Sequence, residues 1–239
     1  MKTLTIRLAA PLQSYGDESN FSHRTTSRYP SKSAVVGMIA AALGYRRTDS
    51  RITDLNELDF AVRVDQPGTI LEDFHTVEWN AGKAPKITYR HYLQDAVYVV
   101  ALGSDNKQWL AEIEAALKHP KFALFLGRRS NVPAGPLQIA ITDGNPVEVL
   151  TQWPWAASTW YQRQLRKQST IKLQMVAEAP LLPERPSRVV KDVAVSFDSR
   201  QRQHSFRAET STWITLDNPV YESDQLTTHD IMRAIQDEG

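Results

Sequence analysis

The chain has 239 residues, 41% of them hydrophobic, with 28 Lys and Arg against 27 Asp and Glu for a formal net charge of +1. This is enough apolar material for one large core or two small ones, and it excludes a disordered polyelectrolyte. The absence of cysteine excludes a disulfide framework, a thiolate metal site and a cysteine nucleophile, and it fits a reducing cytoplasm.

The amino terminus alternates Leu4, Ile6 and Leu8 with Thr3, Thr5 and Arg7, the period of a strand with one buried face, where a secretory signal would carry a continuous apolar core. Pro11 to Arg28 is polar and rich in Ser and Thr, a loop leading to the first helix. That helix is predicted to start near Pro30, with Ser31 or Ser33 as N-cap, and to stop at Gly44. Val35, Ile39 and Leu43 fall on one face, while Gly37, Ala41 and Gly44 form a stripe where another chain segment can approach closely. Its apolar run, Ala34 to Leu43, is about half the ~20 residues a membrane span needs, so a soluble protein is expected.

Phe60, Val62 and Val64 alternate as a second strand. Residues 65–94 lack a core-building pattern and contain Pro67, Gly68, Gly82 and Pro85, and so long a connection is usually functional or mobile. Ala96 to Leu102 is a continuously apolar third strand. Asp105 is the expected cap of a second helix carrying Trp109, Ile113 and Leu117 on one face and ending before Pro120. Phe122 to Leu126, closed by Gly127, is the expected fourth strand. Together these elements give an α+β class, a ferredoxin-like, RRM-like βαββαβ domain over residues 1–135. Prolines accumulate beyond Pro133, and residues 136–239 are expected to form a smaller β-rich module. Its candidate strands are Thr170 to Met175, Val189 to Val195 and Thr212 to Leu216, with a turn or strand end at Gln201 to Phe206 and a short helix over Thr228 to Gln236.

The near-neutral net charge hides segregation. Six bases and one acid lie between His23 and Arg51, seven acids and one base between Asp54 and Glu78, and ten bases with four acids between Arg163 and Arg207. Such blocks can offer a positive surface to a polyanion. Lys32, in the first turn of the first helix, opposes the helix dipole unless an anion is also present, and Arg24 and Arg28 precede it. Serine hydroxyls, free amides and bases at a helix start could hold a phosphate, or this could be an ordinary capped core helix. Gly127-Arg-Arg-Ser130 projects two guanidiniums that match phosphate oxygens or stack on bases. Gln13, Ser14 and Tyr15 supply hydrogen-bonding groups and an aromatic face.

A metal-independent ribonuclease could draw on His75, Tyr89, His91, Tyr92, Lys83 and Lys86, but nothing in the sequence fixes their geometry. No P-loop surrounds Lys32, and the histidines lack zinc-ligand spacing. No cofactor is expected. Three readings stand on the residues: an RNA-binding subunit, a ribonuclease and a protein scaffold.

Five segments, Pro11-Leu-Gln-Ser-Tyr-Gly16, Arg28-Tyr-Pro-Ser-Lys-Ser-Ala-Val-Val-Gly37, Asp73-Phe-His-Thr76, Arg90-His-Tyr-Leu-Gln-Asp-Ala96 and Phe125-Leu-Gly-Arg-Arg-Ser130, resemble in order the hallmark segments of the CasD family of the RAMP superfamily. That family is the subunit of the type I-E CRISPR Cascade complex that holds the 5′ handle of the crRNA, in antiviral defence. The resemblance covers Lys2 to about Pro136 well and the remainder loosely. It implies a ferredoxin-like RNA-binding domain, a thumb hairpin at Asp65 to Gln94 between strands two and three, and no catalysis by this subunit.

By the same resemblance Gln13, Ser14, Arg28, Ser31, Lys32 and Ser33 are expected handle contacts, and Tyr15 and Arg24 beside them are further expected RNA-binding residues. Arg128, Arg129 and Ser130 form a second phosphate or base clamp, and His75 and Arg90 lie near the thumb base. Tyr15 stands where the family often has tryptophan. The implied partners are the crRNA 5′ handle, the repeated backbone subunit that this one caps, the large PAM-reading subunit and, through the complex, target DNA. The implied location is the cytoplasm, with no membrane contact.

Overall fold

In the computed structural model the described residues are 1–16, 22–80, 82–198 and 200–222. The alternating amino terminus forms β1 (Lys2–Ala9), with Leu4, Ile6 and Leu8 inside the core. Two short strands follow, β2 (Leu12–Gln13) and β3 (His23–Arg24). The apolar helix is α1 (Lys32–Leu43). Ser31 caps it, its hydroxyl accepting the Ala34 amide at 3.3 Å, and Gly44 ends it at φ 81°. Then come α2 (Arg51–Asp54), β4 (Asp59–Gln66), β5 (Thr69–Val77), β6 (Lys86–Gln94), β7 (Val97–Ser104) and α3 (Lys107–Lys118). The chain continues through β8 (Gln138–Asp143), α4 (Pro146–Gln152), α5 (Thr159–Gln164), β9 (Thr170–Glu178), β10 (Ser187–Ser196) and β11 (Gln203–Asp217).

Seven strands make one antiparallel sheet in the order β10-β11-β9-β4-β7-β1-β8. On one face, α1 and α3 bring Val35, Ile39, Leu110 and Ile113 against Leu4, Ile6, Phe60 and Val100. On the other, Leu150 of α4 lies over Ala61, Val99, Ala101 and Met175. The central strand β7 is therefore covered on both sides, which is why it reads as an unbroken apolar run. A second, smaller sheet is built on β6, which pairs with β5 and β2 antiparallel and with β3 in parallel.

The tertiary structure corrects several expectations. Residues 122–126 are not a strand: the Lys121 and Phe122 amides donate to the Ala42 and Ala41 carbonyls at 3.0 and 3.1 Å, closing the open end of α1. The fourth strand is β8, which pairs with β1 and lies beyond the expected boundary at residue 135. Among the described residues the C-terminal part is not a separate module, because β9 pairs with β4, Ala61 opposite Ala177, and continues the same sheet. A single long β11 runs through most of both stretches expected apart, 201–206 and 212–216. The hairpin begins later than residue 65, since Asp65 and Gln66 are buried in β4. Asn106, whose side chain accepts the Trp109 amide at 3.0 Å, caps α3, while Asp105 pairs with the amino terminus. The expected helix at 228–236 lies outside the described residues. No described helix is long and apolar enough to cross a membrane.

Candidate nucleic-acid interface

The hairpin joins the main sheet where three separate segments meet. The register of β3 on β6 sets Arg24 beside Arg90. Gly127 turns with φ 89° directly against the Ser14 carbonyl, and the Ser14 amide donates to the Leu126 carbonyl at 3.2 Å. The next residue, Arg128, donates from Nε to Ser14 Oγ at 3.2 Å and from Nη2 to the Arg24 carbonyl at 3.3 Å, with its guanidinium 4.7 Å above the Tyr92 ring. Arg24, Arg90 and Arg128 thus come from three distant parts of the sequence to one place.

Their proximity has an electrostatic cost. Burial pulls the Arg128 guanidinium below its usual value; the charges of Arg90 and Arg24 push it the same way, and Tyr92 opposes them. Arg90 Nε is buried without a hydrogen-bond partner. Asp73, opposite Arg90 on β5, pairs instead with His75 at 2.9 Å. Crowded guanidiniums with an orphan donor are the arrangement that a bound anion offsets through charge-assisted hydrogen bonds.

Gln13, Ser14 and Tyr15 are the floor of this place, not its surface: they are 0%, 3% and 2% exposed. Gln13 Nε2 donates to the Ala96 carbonyl at 2.7 Å, Tyr15 Oη to Gln13 Oε1 at 2.6 Å, and Ser14 Oγ to the His91 carbonyl at 3.1 Å. Buried polar groups so fully used brace the backbone, and direct side-chain contact by Gln13 or Tyr15 is corrected accordingly.

The helix start is also corrected. Lys32 is 3% exposed and points inward, its Nζ 2.8 Å from Glu178 Oε1 and 2.6 Å from the Asn56 carbonyl. Its backbone amide donates to Asp192 Oδ2 at 2.8 Å, and Arg207 Nε holds the other Asp192 oxygen at 2.6 Å. The anion that the first turn calls for is therefore a carboxylate of β10, not an external phosphate. Ser31 serves as the cap and lies 3.4 Å from the hydroxyl of the half-buried Ser33.

Of the remaining candidates, Arg28 and Arg129 have exposed side chains, and Tyr98 Oη donates to the Arg28 carbonyl at 2.7 Å. Ser130 Oγ donates to Asn131 Oδ1 at 3.2 Å. Sequence reasoning missed Asn131, whose Nδ2 and carbonyl grip the Leu126 carbonyl and amide at 3.2 and 2.7 Å and shape the Gly127 turn. It also missed His23, which stacks on Tyr89 at 5.0 Å, although the His-Arg pair just before the first helix was a visible signal. His75 and His91 do not converge. Glu72 faces His91 and Thr88 faces His75 across the hairpin, so the two imidazoles leave opposite faces, paired with Asp73 and Glu72.

The Gly127 contact gives a direct test. A Cβ there would lie 1.5 Å from the Ser14 carbonyl oxygen, so the two segments must separate, and the left-handed φ alone costs about 1–2 kcal/mol for a side chain. Gly127→Ala is expected to lower the melting temperature. Parent-like melting would show that the two segments do not approach as closely as the structure places them.

A family model described as CRISPR-associated protein (Cas_Cas5) matches residues 3–208. The CRISPR system Cascade subunit CasD of Escherichia coli (strain K12) is 35% identical over 153 residues, 56% of this chain and 68% of that protein. Among solved structures, a chain of a CRISPR RNA-guided surveillance complex is similar with a TM-score of 0.74 at 32% identity, covering 93% of this chain and 95% of that one. A second, described as a Cas protein, gives a TM-score of 0.67 at 32% identity, over 92% and 98% of the two chains.

Proposed function

The chain belongs to the CRISPR-associated Cas5 family, and from that premise we propose that it is the subunit of a type I-E Cascade that binds the 5′ handle of the crRNA. The observation that carries this reading is the convergence of Arg24, Arg90 and Arg128 around Ser14, with an unpartnered buried donor on Arg90. A single-stranded RNA needs cations for its phosphates, which Arg24, Arg90 and Arg128 supply, and the buried Tyr92 ring holds the Arg128 guanidinium in place from below. Arg28, Arg129 and Ser130 extend the contact from exposed positions.

In this reading β1, α1, β4, β7, α3 and β8 are a ferredoxin-like βαββαβ unit with sheet order β4-β7-β1-β8, and β5–β6 is the thumb. The subunit caps the filament of repeated backbone subunits and touches the large PAM-reading subunit. It reaches target DNA only through the complex, in the cytoplasm, as part of antiviral defence. The reading is of a non-catalytic subunit, and the divergence of His75 and His91 onto opposite faces of the hairpin, where they cannot act on one phosphate as base and acid, supports it.

Arg24→Ala with Arg128→Ala removes two contacts and should flatten the log-affinity against log-salt slope for handle RNA by about 1.4, at roughly 0.7 per phosphate on a single strand. The measurement is a titration of the full chain over a salt series. An unchanged slope would remove this cluster from the RNA site. Discrete cleavage of repeat RNA by the purified chain, abolished by His75→Ala or His91→Ala, would favour the ribonuclease reading.

A further inference from the structure

A second basic surface, sharing no residue with the first, forms where β10 and β11 meet α1 and the loop after it. Gly37 in α1 leaves room for the Phe197 ring, which comes within 3.6 Å of where a Cβ would stand. Arg202 lies 5.5 Å over that ring, and His204 is 6.2 Å from it. Lys191 sits 5.5 Å over Phe206, a phenyl ring left 63% exposed. Arg46, Arg47, Lys191 and Arg200 are all exposed.

These cations act on one another. Burial lowers the Arg202 pKa and the charge of Arg47 lowers it further; burial lowers that of His204, with Arg202 and Lys191 adding to the shift and Asp192 opposing. Two of the nearby carboxylates are paired elsewhere, Asp192 with Arg207 and Asp49 with Arg51, while Asp198 accepts the Arg200 amide and keeps its charge beside the cations. Among the described residues none of Arg46, Arg47, Lys191, Arg200 and Arg202 forms an ion pair. Like charges that outnumber the acids around them weaken the free chain, and an anionic partner relieves that repulsion.

We infer that this surface binds single-stranded nucleic acid, with Lys191, Arg202 and the Arg46–Arg47 pair on phosphates and Phe206 stacked on a base. An acidic protein would satisfy the cations, but a large exposed ring flanked by an ammonium matches the alternation of base and phosphate along a strand. Neither the ring nor the cations read a 2′-hydroxyl, so RNA and DNA should bind alike.

The test uses the full chain carrying Arg24→Ala and Arg128→Ala, with labelled oligo-dT and oligo-U of equal length. Residual binding is expected at low salt. Adding Lys191→Gln and Arg202→Gln should reduce its salt slope by about 1.4, Arg46→Gln with Arg47→Gln should do the same, and Phe206→Ala should weaken binding about tenfold. Melting curves confirm that each variant folds, and the loop pair remains a fold-neutral probe if the hairpin variants do not. No residual binding, an unchanged slope in both cation pairs, or competition by polyglutamate with oligonucleotide affinity unaffected by all these changes would overturn the inference. Because the first cluster is disabled throughout, these failures leave the guide-handle reading untouched, and failure of that reading leaves this one standing.

Discussion

Lys32→Gln is expected to destabilise the free protein by about 3–5 kcal/mol, the range for removing one partner of a buried ion pair. The side chains of Lys32 and Glu178 are 4% and 16% exposed, and the other Glu178 oxygen accepts the Phe60 amide at 3.0 Å. Loss of the ammonium leaves that carboxylate and the Asn56 carbonyl without their donor. The pair also ties α1 to the strand that joins the C-terminal half of the sheet, so the damage should be global. Lys32→Gln with Glu178→Gln should recover part of the loss, since the uncompensated charge goes while the glutamine oxygen can still accept from Phe60. Denaturant unfolding of both variants decides the matter. A single variant as stable as the parent would mean that Lys32 is not held as the structure places it.

Arg63→Met should cost at least as much. Arg63 and Asp65 are both 0% exposed, and every guanidinium donor is engaged: Nε and Nη2 on Asp65 at 2.7 and 2.8 Å, Nη1 on the Leu150 and Trp153 carbonyls at 2.5 and 2.7 Å, and Nη2 on the Pro154 carbonyl at 2.8 Å. Asp65 in turn accepts the Ala156 amide at 2.6 Å. One side chain therefore fastens the segment after α4 to the back of the sheet. Removing it strands a buried carboxylate and three carbonyls, a loss of about 4 kcal/mol or more. Arg63→Lys should rescue little, because an ammonium cannot reproduce the fork. Recovery to parental stability in Arg63→Lys would show that charge alone, and not the planar geometry, holds the segment.

Local pattern carried much of this fold. The alternation in β1 and β4, the unbroken apolar β7, the Ser31 cap, the Gly44 stop and the Gly127 turn all follow from side-chain period and backbone preference within a few residues. The basic candidates Arg24, Arg90 and Arg128 were also visible as residues, though not as a set. Their meeting depends on the parallel pairing of β3 with β6 and on the passage of Gly127 past Ser14, and neither leaves a periodic trace.

Pairing partners and buried charge belong to the tertiary structure. Phe122 to Leu126 looks like a strand because a short apolar run satisfies either a sheet or a capping segment, and only the free carbonyls at the end of α1 settle which. Nothing near β4 announces that β9 will pair with it, so the C-terminal half reads as a separate module until that ladder is seen. The sequence by itself determined the elements, their caps and the stock of basic side chains. The tertiary structure decided that Lys32 turns inward to Glu178 and Arg128 stays at the surface over Tyr92, because the fate of a charge is set by which carboxylate, distant in sequence, the fold brings within reach.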